Sequence, residues 1–181
     1  DTRLDMPVAL KEYFPSGVAE RDAVSGDLRP KSSNEEEQFK TGLNSFLSEA
    51  KTLAKFRHTN IVQVLNFFED RGSAFMVMSY EEGDCLADLF KLRRPIPEET
   101  LLDIVLPLLD GLQVLHDAGY IHRDIKPGNI YIRRDDSPVL LDFGATRQVM
   151  GEQTKTVTAL LTPGYAPFEQ YHSSSKQQGP W

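Results

Sequence analysis

The chain has 181 residues, 40% of them hydrophobic and 26% charged, which is the composition of a globular domain rather than of a disordered chain. Its formal net charge of -7 argues against a nucleic-acid-binding protein, whose surface is usually basic. The single cysteine excludes an internal disulfide. The most apolar run, residues 101–115, is interrupted by Asp103, Pro107 and Asp110 and is too short to cross a bilayer. We therefore expect no nucleic-acid partner and no membrane contact from this segment.

The amino-terminal part of the chain predicts a strand, a loop and a helix. Apolar residues in the segment 7–13 indicate a short strand. The segment 16–34 is rich in glycine, serine, proline and charged residues and predicts a loop. Asn34 is a candidate N-cap for a helix whose apolar residues recur at helical spacing to about residue 57.

The middle of the chain predicts a hairpin followed by two helices. Apolar runs at 61–68 and 74–80, separated by a polar turn, indicate two antiparallel strands. A short helix is expected at 86–92. A longer helix is expected from Pro97, which suits a first helical position, to Gly119, which suits a left-handed C-cap.

The last third of the chain predicts two short strands and then irregular structure. The strands are expected at 130–132 and 139–141, on either side of a polar turn. From residue 144 onward the sequence predicts a loop that ends in a polar tail.

The most informative motif is the run HRDIKPGN at residues 122–129, which resembles the catalytic loop of serine/threonine protein kinases. By that resemblance Asp124 accepts the proton of the substrate hydroxyl, Lys126 reaches the transferred phosphate, and Asn129 binds a magnesium ion. A lysine two places after the aspartate is typical of the serine/threonine class. A polar turn after a helix is the alternative, but eight matched positions disfavour it.

A second motif, Asp142-Phe143-Gly144, follows an apolar strand thirteen residues after Asn129. The resemblance makes Asp142 a metal ligand, because carboxylate oxygen is a hard ligand suited to a hard ion, and it packs Phe143 inside the domain. The implied cofactors are ATP and Mg2+, with Mn2+ as the alternative ion.

The resemblance also assigns residues to the nucleotide. The strand Val8-Ala9-Leu10-Lys11 is similar to the kinase V-A-I-K strand, so Lys11 would contact the α- and β-phosphates and pair with Glu49 of the following helix. Alone, Lys11 would be interpreted as a surface lysine. The other implied nucleotide-site residues are Ala9, the gatekeeper Met78, the hinge residues Ser79 and Glu81, Cys85 near the ribose, and Tyr131.

A regulatory site is expected after Asp142. Kinases of this type are often switched by phosphorylation in this segment, and Thr154 and Thr156 are the candidate acceptors by position. A phosphate there adds negative charge that Arg123 can pair with. An unmodified polar loop is the alternative. Thr162 matches a threonine that contacts the catalytic loop, so we expect a structural role for it.

The resemblance implies an α+β, kinase-like, two-lobed fold that is truncated, with an incomplete N-lobe sheet and only the upper part of the C-lobe. Residues 1–80 would form the partial N-lobe, from the third strand to the start of the hinge, and residues 81–181 the partial C-lobe through the activation segment. We expect this piece to be unstable and barely active alone, because its long helix would lose a packing partner.

The expected function is ATP-dependent transfer of the γ-phosphate to serine and threonine hydroxyls of proteins, including autophosphorylation. The alternatives are a pseudokinase or scaffold module, an inactive fragment of the kinase domain, and a small-molecule kinase. The segment 162–169 keeps the glutamate of the kinase motif T-P-x-Y-x-A-P-E but shifts Ala-Pro by one residue, which weakens inference about peptide specificity. A cytoplasmic location is expected, with membrane anchoring of a full-length protein left open.

Overall fold

The computed structural model describes residues 5–92, 95–143, 147–148, 162 and 164–167. These residues form two compact units. The first unit holds the described residues up to Lys55 together with Gln63–Tyr80, and the second holds Phe56–Val62 with the described residues from Glu81 onward.

The first unit is an antiparallel sheet with one helix. In chain order its elements are β1 (Val8–Glu12), β2 (Ala19–Arg21), β3 (Leu28–Pro30), α1 (Glu36–Leu53), β4 (Val64–Asp70) and β5 (Ser73–Ser79). The main sheet has the order β1-β5-β4, and β2 and β3 form a separate two-stranded sheet. Helix α1 buries Phe46, Ala50 and Leu53, which follow the helical spacing expected from the sequence.

The pair β2–β3 corrects the expectation that residues 16–34 form a loop. Ala19 and Leu28, one from each strand, are buried and form a small core with Phe39 of α1. The Asp22 carboxylate supports the turn between the strands by accepting two backbone N–H bonds. The expectation was wrong because one apolar residue in a three-residue strand leaves no periodic pattern to detect.

The start of α1 also differs from the expectation. Asn34 is not an N-cap: it lies in a 3-10 turn, Ser33–Glu35, and α1 begins at Glu36 without a side-chain cap. The helix ends at Leu53, earlier than predicted.

Tyr13 fixes the middle of α1 to the end of β1. Its hydroxyl donates to the Phe39 carbonyl at 2.9 Å, and its ring lies against the Phe39 and Phe46 rings. A Cβ added at Gly42 would lie 2.3 Å from the Tyr13 hydroxyl oxygen, so a larger residue at this position would have to displace the Tyr13 side chain.

The second unit is built around α3 and a small sheet. In chain order its elements are β6 (Gly83–Cys85), α2 (Leu86–Lys91), α3 (Glu98–Asp117), β7 (Tyr120–Ile121), β8 (Ile130–Arg133), β9 (Pro138–Leu140) and β10 (Arg147–Gln148). The sheet order is β6-β8-β9, and β7 pairs with β10. Strand β6 was not among the elements expected from the sequence.

Helix α3 has two apolar faces. Ile104, Leu108, Leu112 and Leu115 are buried in the second unit, and the helix ends before Gly119, whose φ of 80° is the expected left-handed conformation. On the other side of α3, five residues are between 37% and 55% exposed: Leu101, Leu102, Val105, Leu106 and Leu109. None of the helices in the described ranges is both long and apolar enough to cross a bilayer.

Candidate functional site

The carboxylate of Asp124 is the centre of a hydrogen-bonded cluster in the second unit. Its Oδ2 lies 2.8 Å from Lys126 Nζ and accepts from Asn129 Nδ2 at 2.8 Å. Its Oδ1 accepts from the Thr162 hydroxyl at 2.7 Å, and Lys126 Nζ also donates to that hydroxyl oxygen at 2.9 Å. The structure therefore brings Asp124, Lys126 and Asn129 together and adds Thr162 to them.

The local backbone explains how this cluster forms. Arg123 has a φ of 71°, a left-handed conformation that is uncommon outside glycine and that turns the chain before Asp124. Pro127-Gly128-Asn129 then forms a 3-10 turn, closed by the bond from Asn129 N–H to the Lys126 carbonyl at 2.9 Å. Asn129 Nδ2 also donates to the Asp124 backbone carbonyl at 2.9 Å, which ties the two ends of the loop together.

The same contacts set the charge of Asp124. Partial burial disfavours its carboxylate form, but hydrogen bonds from Lys126, Thr162 and Asn129 outweigh that effect and lower the pKa of Asp124 below its ordinary value. The group is therefore a carboxylate at neutral pH.

His122 supports the loop from inside the unit. It is 1% exposed, its ring lies 4.5 Å from that of Phe143, and its Nδ1 accepts from the Asp124 N–H at 3.2 Å. Burial lowers the pKa of His122 to about 4, although the nearby Asp142 and Asp124 charges act in the opposite direction. The imidazole is therefore neutral, and its buried Nε2 has no hydrogen-bond partner among the described residues.

The β8–β9 hairpin brings Asn129 and Asp142 to one end of the small sheet. Asn129 directly precedes β8, and its carbonyl accepts from the Leu141 N–H at 2.9 Å, next to Asp142. An amide oxygen and a carboxylate are oxygen donors of the kind that Mg2+ prefers. Within the described ranges, no group of three or more His, Cys, Asp or Glu side chains forms a protein-only metal site.

In the first unit, Lys11 Nζ lies 3.2 Å from Glu49 Oε1. The pair is partly exposed rather than buried, with 33% of the Lys11 side chain and 13% of the Glu49 side chain accessible. Ala9 and Met78 are cross-strand neighbours between β1 and β5. The Ser79 N–H donates to the Gln63 carbonyl at 2.9 Å.

Cys85 and Tyr131 are register partners between β6 and β8. Cys85 is partly buried, with its Sγ 3.5 Å from the Pro127 carbonyl and 3.7 Å from the Gly128 carbonyl of the loop 122–129. The two candidate phosphate acceptors, Thr154 and Thr156, lie outside the described residues.

Two ion pairs were not predicted from the sequence: Glu81 pairs with Arg133, and Glu82 pairs with Arg134. The two acidic residues just before β6 thus face two basic residues at the end of β8. The charge pattern could have indicated this, but only with the β6–β8 pairing already known.

The family model described as "Protein kinase domain" matches residues 28–179. Serine/threonine-protein kinase PknL of Mycobacterium tuberculosis is 36% identical over 171 residues, which cover 94% of this chain and 38% of that protein. Serine/threonine-protein kinase PknA of Nostoc sp. is 40% identical over 111 residues, which cover 58% of this chain and 20% of that protein.

A solved structure gives the same result for the fold. The structure "PpkA-294 apo form" is 37% identical, has a TM-score of 0.83 and covers 100% of this chain and 63% of its own. The chain thus spans less than two thirds of the length of each of these relatives. The expected α+β kinase fold is confirmed. The chain belongs to the protein kinase family and is a kinase domain of the bacterial serine/threonine type.

Proposed function

We propose that the protein containing this chain transfers the γ-phosphate of ATP to serine and threonine hydroxyls of proteins, including its own. The observation that carries the proposal is the Asp124 carboxylate, held by Lys126, Asn129 and Thr162. Phosphoryl transfer needs a fixed carboxylate beside the acceptor hydroxyl and cations near the phosphate, more than it needs covalent help from the protein.

Asp124 has the properties of the group that receives the hydroxyl proton. Its lowered pKa keeps it ionised, and three donors fix its orientation. The Thr162 hydroxyl donates to Oδ1, which supports the view that this oxygen accepts from an aliphatic alcohol such as a serine or threonine side chain. Lys126 Nζ, 2.8 Å from Oδ2, would supply positive charge to the transferred phosphate.

The oxygen donors of Asn129 and Asp142 fit a magnesium ion. Mg2+ is usually held by one or two carboxylates together with substrate phosphates, which agrees with a protein contribution of only two side chains. When bound, the ion neutralises phosphate charge. The two hydrogen bonds from Asn129 Nδ2 to Asp124 orient the amide, so that its oxygen is the atom to serve as ligand.

The nucleotide contacts are assigned by the same reasoning. Lys11, held by its ion pair with Glu49, would bind the α- and β-phosphates. Cys85 and its register partner Tyr131 would lie next to the ribose. For the adenine we assign Ala9, Met78 and the backbone of Ser79 and Glu81.

We also propose that Thr154 and Thr156 accept regulatory phosphate groups and that Arg123 pairs with one of them. The position of Arg123, directly before Asp124, would couple such a phosphate to the catalytic loop.

The proposal is tested with the full-length protein, Mg2+ and ATP labelled at either the γ- or the α-phosphate. We expect label from the γ-phosphate alone to enter the protein and an added generic protein substrate. Acid hydrolysis should then yield phosphoserine and phosphothreonine. ATP binding without any transfer would instead indicate a binding module, and transfer only to a small molecule would indicate a different substrate class.

Replacing Glu49 by glutamine should lower kcat/KM about tenfold, because a charge-assisted hydrogen bond to Lys11 is lost while the size of the side chain is kept. Steady-state kinetics at varied ATP concentration measures this effect. Glu36→Gln is the matched control: Glu36 also pairs with a lysine, Lys40, but on the exposed side of α1. Equal losses in the two variants would remove the special role of Glu49.

A further inference from the structure

We propose that Arg133 is a positioning residue that fixes the nucleotide-binding segment 81–85 through its ion pair with Glu81. The inference deepens the proposed function and rests on it, because segment 81–85 includes the residues assigned to the adenine edge and the ribose. Arg133 itself is not expected to touch the nucleotide.

The Arg133 guanidinium joins three segments of the second unit. Its Nε lies 2.5 Å from Glu81 Oε2, its Nη2 donates to the Thr59 carbonyl at 3.0 Å, and its Nη1 donates to Ser137 Oγ at 3.3 Å. Each arm of a planar, rigid guanidinium constrains the direction of the other two. Glu81 is therefore held in a direction set by two independent contacts.

The neighbouring pair shows that this arrangement is specific to Arg133. Arg133 and Glu81 side chains are 19% and 15% exposed, whereas those of Arg134 and Glu82 are 81% and 54% exposed. An exposed ion pair contributes little because water screens it and both side chains lose entropy when they pair. The Arg134–Glu82 pair, one residue along the chain, is thus a weak ion pair against which the Arg133–Glu81 pair can be compared.

The backbone of β6, two residues after Glu81, is packed closely against β8. Gly83 is the register partner of Arg133, and a Cβ added at Gly83 would lie 2.0 Å from the Ile132 carbonyl oxygen. The close approach of β6 to β8 therefore requires glycine. Below it, Cys85 is bound to the catalytic-loop carbonyls, so segment 81–85 is fixed at both ends.

Strand β8 links the Arg133 ion pair to the proposed metal site. It begins at Ile130, directly after Asn129, and ends at Arg133. One strand thus connects a proposed metal ligand with the residue that orients Glu81. Loss of the ion pair should change the fit of the base and ribose while the Asp124 cluster stays intact, so the effect should appear in KM for ATP rather than in kcat.

The test compares four variants of the full-length protein: Glu81→Gln, Arg133→Gln, the double variant and Arg134→Gln. Glu81→Gln keeps the size of the side chain and removes its charge. We expect it to raise KM for ATP about tenfold and to change kcat less than about twofold. Arg133→Gln should raise KM similarly, and the double variant should raise it no further than either single one.

One control separates positioning from a general loss of charge. Arg134→Gln removes the exposed ion pair from the side of Arg134, outside segment 81–85, so it should leave KM for ATP unchanged. Melting temperature is measured for every variant. An unchanged KM in Glu81→Gln, an equal rise in Arg134→Gln, or additive effects in the double variant would overturn the inference. If Arg133→Gln fails to fold, Glu81→Gln still decides.

Failure of the proposed function would look different. A wild-type protein that transfers no phosphate has no KM to shift, and this outcome contradicts the kinase proposal itself. A wild type that transfers phosphate while Glu81→Gln matches it contradicts only the role of Arg133.

Discussion

Replacing Asp124 by asparagine is expected to lower the rate of phosphotransfer by about 10²–10⁴-fold, the range that positioned acid–base groups contribute. An amide cannot accept a proton at neutral pH, whereas the Asp124 carboxylate is ionised because its hydrogen-bond donors lower its pKa. The substitution keeps the size of the side chain. We therefore expect ATP affinity to change less than about threefold, which corresponds to well under 1 kcal/mol.

Single-turnover phosphotransfer and fluorescent-nucleotide binding, both in the full-length protein, measure the two effects separately. Asp135→Asn is the matched control. It makes the same chemical change at an exposed turn residue whose carboxylate accepts from the backbone N–H and the hydroxyl of Ser137, and it should leave the rate unchanged. A fast Asp124→Asn variant would show that the carboxylate does not receive the proton.

The stability of the second unit should fall as the pH is lowered from about 6.5 to about 4, because His122 is buried in its neutral form. In that range the unfolded chain binds a proton at His122 and the folded chain does not. Protonation thus favours unfolding, and the contribution is fully present above pH 6.5. A pKa difference of about 2.5 corresponds to about 3 kcal/mol.

Urea unfolding of the full-length protein at each pH measures this dependence. The unfolded fraction is digested by pulse proteolysis, and the peptides released from residues 120–143 are quantified. The His122→Gln variant carries every other titrating group, so the difference between the two pH profiles isolates His122. We expect the variant to lose the part of the slope between pH 6.5 and 4, whatever its stability at neutral pH. Parallel profiles would contradict the assignment.

The elements that were predicted well are those whose signals are local. Gly119 ends α3 in a left-handed conformation, as a C-cap glycine should, and the two apolar runs before the hinge form the β4–β5 hairpin. The β2–β3 pair was missed because its stability comes from burying Ala19 and Leu28 against a helix that follows later in the chain. No window of the sequence contains that contact.

The candidate site likewise has contacts that a local motif predicts and contacts between residues that are distant in the sequence. Asp124, Lys126 and Asn129 lie within six residues, so a motif carries their arrangement. The contact between Thr162 and Asp124 joins residues 38 positions apart, and only resemblance to a family pointed to it. The Glu81–Arg133 pair spans 52 positions and has no motif, so it emerges only when β6 is seen beside β8.

The contact with Tyr13 holds helix α1 at Gly42. Glu49 lies seven residues beyond Gly42, which is about 10 Å along the helix axis at 1.5 Å per residue. A tilt of the helix by about 10° around Gly42 would therefore move Glu49 by about 2 Å. Its contact with Lys11 is 3.2 Å long, so such a tilt is enough to break it. We therefore expect the position of Lys11 to depend on the tilt of α1.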